Sequence, residues 1–159
     1  MKANGPELTE HRLLTVAIDP GGTTGMAAWD QVEEELVAAE GSPAEVLDWL
    51  AEEIRERRIG LVVCESFTIT GGTIKKTRGG PNAAIETIGA IRYLCRVGGV
   101  PLVLQSPAEA KGFSTDDKLR RIGWFEGLPG HARDAARHLL LRCVTDGSIP
   151  GESVMPKSG

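Results

Sequence analysis

The chain lacks any run of apolar residues approaching the roughly 18 that a membrane span requires, so no membrane segment is expected. Its first residues, Met1 to His11, are polar, carry a proline and contain no apolar core of the kind a secretory leader needs, which places the expected site of action inside the cell. Cysteine is scarce. Cys64, Cys95 and Cys143 are widely spaced with no Cys-x-x-Cys pair, a pattern that excludes a disulfide framework, disfavours a structural zinc site and fits reduced, buried thiols. Internal repeats and interdomain linkers are also missing, so 159 residues should form one compact domain. Its expected extent is 13–145, after a flexible lead-in over 1–12 and before a polar, disordered tail over 146–159.

An excess of positive charge is missing too, since the net charge is −4. The distribution matters more than the total. Residues 1–58 carry 13 acidic and 5 basic side chains, whereas residues 75–142 carry 6 acidic and 12 basic ones. Such a chain can present a basic face to a polyanion while remaining acidic overall, although solvated helix faces would give the same pattern.

What the sequence does contain is organised around Leu13 to Trp29. Leu13 to Ile18 reads as a strand that stops at Asp19, and Pro20-Gly21-Gly22 forces a tight turn before Gly25 to Trp29 returns as a second strand. An aspartate is thereby delivered beside a loop almost free of side chains; taken alone, it could equally be a turn cap. Gln31 to Ala39 is expected as a third, edge strand. Ser42-Pro43-Ala44-Glu45 has the form of a capping box with proline at the first helical position, followed by Val46, Leu47, Leu50 and Ile54 at helical spacing as far as Arg58.

Gly60 to Cys64 is a short, wholly apolar run of the kind buried on both faces of a parallel sheet, and it runs into Glu65. A Gly-rich loop over 68–81 carries Lys75, Lys76 and Arg78. A helix over 82–97 follows, with an apolar surface broader than one sheet needs, then a strand over 100–104, a short turn of helix over 107–111 and a helix over 115–124 capped by Thr115. The last helix, 130–144, places His131, Asp134 and His138 on one face and Leu139, Leu140 and Cys143 on another. His138 is read as supporting the site from behind its ligands or as structural, and is left out of the site itself.

The order β-β-β-α-β-α-β-α-α describes an α/β mixed sheet with helices on its faces. Asp19 and Glu65 then end neighbouring strands, with His131 and Asp134 on a helix beside them. Clustered carboxylates of this kind resist ionisation together unless a cation joins them. Two divalent ions about 4 Å apart would relieve that repulsion, activate a water and stabilise the leaving oxygen of a phosphodiester. Read singly, Glu65 could be a surface carboxylate, Asp134 a partner of Arg137 or His138, and His131 a cap.

In their order and spacing, Ile18-Asp19-Pro20-Gly21, Val63-Cys64-Glu65, the helix ending in Gly-Ala-Ile-Arg, Pro107-Ala108-Glu109-Ala110-Lys111 and Gly130-His131-Ala132-Arg133-Asp134-Ala135 resemble RuvC-type Holliday-junction resolvases, over about Leu14 to Leu141. The resemblance implies an RNase H-like mixed five-stranded sheet flanked by helices, a homodimer through the 82–97 helix, and nicking of branched DNA with two magnesium or manganese ions per site. On it, Asp19, Glu65, His131 and Asp134 match the metal-binding set, and Lys111 matches a basic residue near the scissile phosphate. Lys75, Lys76, Arg78, Phe67, Lys118 and Arg121 are the candidate DNA contacts.

His131 stands where many relatives have aspartate, and the softer imidazole favours manganese. Phe67 stands one residue short of the family's junction-opening aromatic. The Ala-, Gly- and Arg-rich composition resembles phage or actinobacterial versions, which would act in the cytoplasm of a bacterial or phage-infected cell. Two other readings remain. Asp19-Pro20-Gly21-Gly22-Thr23-Thr24-Gly25 also resembles the phosphate loop of actin, heat-shock-chaperone and sugar-kinase ATPases, which need a second such domain to close over the nucleotide. A non-catalytic branched-DNA-binding protein could keep the same fold.

Overall fold

The computed structural model describes residues 13–68 and 80–156. Its elements are β1 (Leu14–Asp19), β2 (Thr24–Asp30), β3 (Glu35–Gly41), α1 (Pro43–Arg55), β4 (Ile59–Glu65), α2 (Gly80–Gly98), β5 (Leu102–Gln105), α3 (Pro107–Phe113), α4 (Asp116–Arg121) and α5 (Gly130–Thr145). Five strands form one sheet in the order β3-β2-β1-β4-β5. The three N-terminal strands are antiparallel neighbours, whereas β4 runs parallel to both β1 and β5.

Strand alternation divides the core into two layers. Val16, Ile18, Met26, Ala28, Val62 and Cys64 face one way and pack under α1 and α2 through Val46, Leu50, Ile91 and Cys95. Ala17, Ala27, Trp29 and Val63 face the other way, toward Ala135, Ala136, Leu139, Leu140 and Cys143 of α5. Leu139 and Leu140 are fully buried, and burial of this kind contributes roughly 1.5–3 kcal/mol for each side chain. α5 is therefore held firmly on the second face, and residues continuing that face at the strand ends must meet it.

Ser42 and Glu45 form the expected capping box, and Ser106 with Glu109 forms another at the start of α3. α2 closes at Gly98, where an added Cβ would stand 2.2 Å from Ile54 Cγ2, so glycine is what lets α2 approach α1 there. All three cysteines are buried and free. No helix of the described residues is long and apolar enough to cross a membrane.

Two expectations are corrected. The third strand begins at Glu35, because Asp30 Oδ1 accepts from the amides of Val32 (2.8 Å) and Glu33 (3.1 Å) and turns the chain before it can pair. Register then starts at Asp30 with Glu35 and carries the strand on to Gly41. The segment after α5 is not a loose tail as far as Pro156. Ile149 and Val154 are buried beside Trp124, the Ile149 amide donates to the Cys143 carbonyl at 3.0 Å, and a 3₁₀ turn spans Gly151–Ser153. Two apolar anchors in a polar stretch were enough to dock it. The lead-in 1–12, the end 157–159 and the loop residues 69–79, with Lys75, Lys76 and Arg78, lie outside the described residues.

Truncating Val154 to alanine is expected to cost ~2 kcal/mol. It would be read as a lower urea midpoint at unchanged slope; an unaltered midpoint would show that this segment contributes nothing to the core.

Candidate active site

One row of residues crosses the whole sheet on the α5 face. Asp19 pairs with Gly25, and Gly25 pairs with Glu40. On the other side Ile18 pairs with Cys64, which sets Asp19 beside Glu65, and Glu65 pairs with Gln105. Paired residues point to the same face, so Glu40, Gly25, Asp19, Glu65 and Gln105 are all presented to α5.

Gly25 sets how close the helix can come. A Cβ there would stand 2.0 Å from the His131 carbonyl oxygen, so only glycine allows the first turn of α5 to lie on β2. That turn has no side-chain cap from its own N-cap residue, Pro129. Glu40 supplies one from across the sheet, its Oε2 accepting from the His131 amide at 2.9 Å, where the positive end of the helix favours a carboxylate. With the backbone of His131 held on both sides, its imidazole reaches Asp19, Nδ1 standing 3.1 Å from Oδ2.

The other α5 residues follow at helical spacing. His138 is 1% exposed and places Nε2 2.8 Å from Glu65 Oε2 and Nδ1 3.0 Å from Gln105 Oε1. Asp134 Oδ1 accepts from Arg137 Nε at 3.3 Å. The same guanidinium donates to the Ser114 carbonyl at 2.6 Å and to Asp116 Oδ1 at 2.5 Å, tying the junction of α3 and α4 to α5. Lys111 lies exposed on α3, Phe67 is half-buried just past β4, and Arg121 is exposed on α4. Lys118 is half-buried with Nζ 3.8 Å from the Phe113 ring centre.

Sequence reasoning brought Asp19, Glu65, His131 and Asp134 to one end of the sheet, and their strand-end and helix positions follow that reading. It did not find Glu40 or Gln105, it offered Arg137 only as an alternative partner of Asp134, and it left His138 out of the site. The spacing of His138 from His131 was the one available signal. Glu40 and Gln105 become visible only through sheet register.

Burial pushes the Asp19 carboxyl up to about 6, with the charge of Glu65 the next cause. The hydrogen bond from His131 pulls it down, and the charge of Asp134 pushes it up again. Asp19 therefore sits within electrostatic reach of both other carboxylates. The donor set, three carboxylates and an imidazole, suits a hard divalent cation. As placed, however, the side chains are engaged separately: His131 holds Asp19, His138 holds Glu65 and Arg137 holds Asp134. Accordingly, no three His, Cys, Asp or Glu side chains among the described residues are grouped to hold one metal ion. The donors fit the chemistry of a cation, while each is at present engaged by a partner of its own. A cavity of about 660 Å³ lies at the other end of the sheet, lined by Leu13, Ile54, Ile59, Tyr93, Val97 and Val100 among others, and includes none of these donors.

No protein-family model matches the sequence, and no curated protein matches it. The fold does match solved structures. T. thermophilus RuvC in complex with Holliday junction substrate is 15% identical, with a TM-score of 0.65 over 86% of this chain and 97% of that one. A second Thermus thermophilus RuvC structure is likewise 15% identical, with a TM-score of 0.61 over 86% of this chain and 98% of that one. The chain thus has the RNase H-like fold, a mixed five-stranded sheet flanked by helices.

A carboxyl whose folded pKa lies above its unfolded value binds its proton more tightly in the native state, so its stabilising contribution is complete at low pH and is lost as pH rises through the folded value. For Asp19 that window runs from 3.8 to about 6. In chelator, Asp19→Asn is therefore expected to be more stable than the parent above pH 6, by ~2 kcal/mol. The gap should narrow as pH falls toward 4. Urea unfolding across that range measures it, and a gap independent of pH would refute the crowding of charge at Asp19.

Proposed function

We propose that this chain is a divalent-cation-dependent endonuclease that nicks branched DNA, Holliday junctions included. The observation that carries the reading is Asp19: a buried carboxyl, crowded by Glu65 and Asp134 and bonded to His131, at the end of a central strand. Three carboxylates from distant parts of the chain, with Asp19 feeling the charge of the other two, are costly to the fold, and serving an ion would justify that cost. The fold supports the reading further, because the structure it matches at a TM-score of 0.65 is a RuvC in complex with Holliday junction substrate.

The group expected here is magnesium or manganese, two ions per site; when bound it neutralises the scissile phosphate and activates the attacking water. Asp19, between Glu65 on one side and the His131 turn on the other, would be the central ligand of the set. Glu65, His131 and Asp134 complete the donor set. His131, whose side chain is half exposed, is free to swing off Asp19, and Arg137 can release Asp134 while keeping Ser114 and Asp116. An imidazole in the set favours manganese over magnesium.

Lys111 is assigned to the scissile phosphate, and Lys75, Lys76, Arg78, Lys118 and Arg121 to the flanking backbone. Phe67 is the aromatic assigned to the opened junction. A homodimer through the 82–97 helix would present two such sites, and the exposure of Ile85, Tyr93 and Val97 on that helix supports it.

Nicking of a synthetic four-way junction, with flap, fork and linear DNAs alongside, tests the proposal in magnesium and then manganese. Asp19→Asn should lower the nicking rate at least ~10³-fold, about 4 kcal/mol of barrier, while junction affinity stays within a few-fold. Equal nicking by the variant would remove Asp19 from the reaction. Junction binding by the parent chain with no nicking in either metal would leave a non-catalytic binding protein instead.

A further inference from the structure

The least exposed polar side chain on α5 is not among the four assigned donors. His138 is 1% exposed, deep under the sheet, and both of its ring nitrogens are engaged. Its partners come from adjacent strands, because register sets Glu65 of β4 directly beside Gln105 of β5. One helix residue thus spans a pair that the sheet has aligned.

The chemistry of the three groups decides what this contact does. An ionised carboxylate only accepts hydrogen bonds, so the proton on Nε2 must point at Glu65 Oε2. Nδ1 then faces the Gln105 amide, which can offer either its oxygen or its nitrogen and so satisfies the ring in either state. Gln105 is itself buried, so water does not compete for that contact. Among the described residues the bond from His138 is the one that Glu65 receives on its side chain, and it falls on one oxygen only.

We propose that His138 is a positioning residue for Glu65. It ties Oε2 inward and leaves Oε1 as the oxygen offered to a cation, while Gln105 fixes the imidazole in the required orientation. The inference rests on the cation-binding reading of this site. It also explains why a polar side chain is retained among Ala135, Leu139 and Leu140, where a leucine would pack with less desolvation cost. His138 is not itself a cation ligand in this arrangement, since neither nitrogen is free.

The test is manganese binding by the whole protein without DNA, followed by calorimetry or by the paramagnetic resonance of free Mn²⁺. Junction nicking and thermal unfolding are measured alongside it. His138→Ala should weaken Mn²⁺ binding ~10–100-fold, the usual cost of losing a group that orients a ligand. Gln105→Leu, which keeps His138 and removes its second partner, should weaken it several-fold. His138→Gln retains an N–H donor and should recover much of the loss. In nicking, the variants should show lower kcat at limiting Mn²⁺, restored by excess metal, with KM for the junction unchanged.

Variants that melt earlier but bind Mn²⁺ like the parent would overturn the proposal, because a residue that merely fills the core has that signature. Should His138→Ala fail to fold, Gln105→Leu and His138→Gln decide the matter. A parent chain that takes up no Mn²⁺ would refute the cation site itself, an outcome distinct from a parent that binds and variants that are indifferent.

Discussion

The molecule depends on the close seating of α5 against one row of the sheet. That row, Glu40, Gly25, Asp19, Glu65 and Gln105, supplies in turn a cap for the helix, room for its backbone, two carboxylates and an amide. His131 and His138, two turns apart, meet all five of those residues with backbone or ring atoms. Because interiors are close-packed and shift little, a small change in helix height would uncouple all of these contacts together. The apolar underside of α5 sets the height, and Gly25 sets its lower limit.

The carboxylates show what such seating costs and how the fold tolerates it. Like charges brought together in a partly buried place repel strongly. The chain answers by giving each acid a different neighbour: an imidazole for Asp19, a second imidazole for Glu65 and a guanidinium for Asp134. Asp19, the most buried of the three, is the one whose carboxyl is driven well above its ordinary range, by burial first and by the charge of Glu65 next. Natural folds keep such local conflict mainly where it serves a function, and the cost is met by packing elsewhere.

Much of this was legible in the residue string, and the remainder was not, for identifiable reasons. Short apolar runs and the stops at Asp19 and Glu65 located two strands and the carboxylates that end them. The capping box at Ser42 and Glu45 located α1, and i, i+3 spacing located His131 and Asp134. These signals are local. Glu40, 91 residues before His131, and Gln105, 33 residues before His138, take their roles from pairing between strands, which no short window of sequence contains. The third strand was placed too early because an aspartate side chain, rather than the apolar pattern, decides where Asp30 turns. The segment after α5 was read as tail because Ile149 and Val154 are too few to form a periodic signal, although two anchors suffice to hold eleven residues of chain.

Although the net charge is −4, several cations on α4 and α5 lie over aromatic rings. Lys118 lies 3.8 Å from the Phe113 ring centre, and Arg120 and Arg133 both lie over Phe125, at 4.0 and 4.1 Å. Aromatic faces hold these cations in position at little cost in hydration. Arg137 fastens the segment that connects α3 to α4, and so the helices bearing Lys111 and Lys118, to the turn that carries Asp134. Positive charge is therefore attached mechanically to the same helix that presents the acidic donors. The cations and the carboxylates are thus carried by one packed unit, so whatever shifts the seating of α5 moves both sets together.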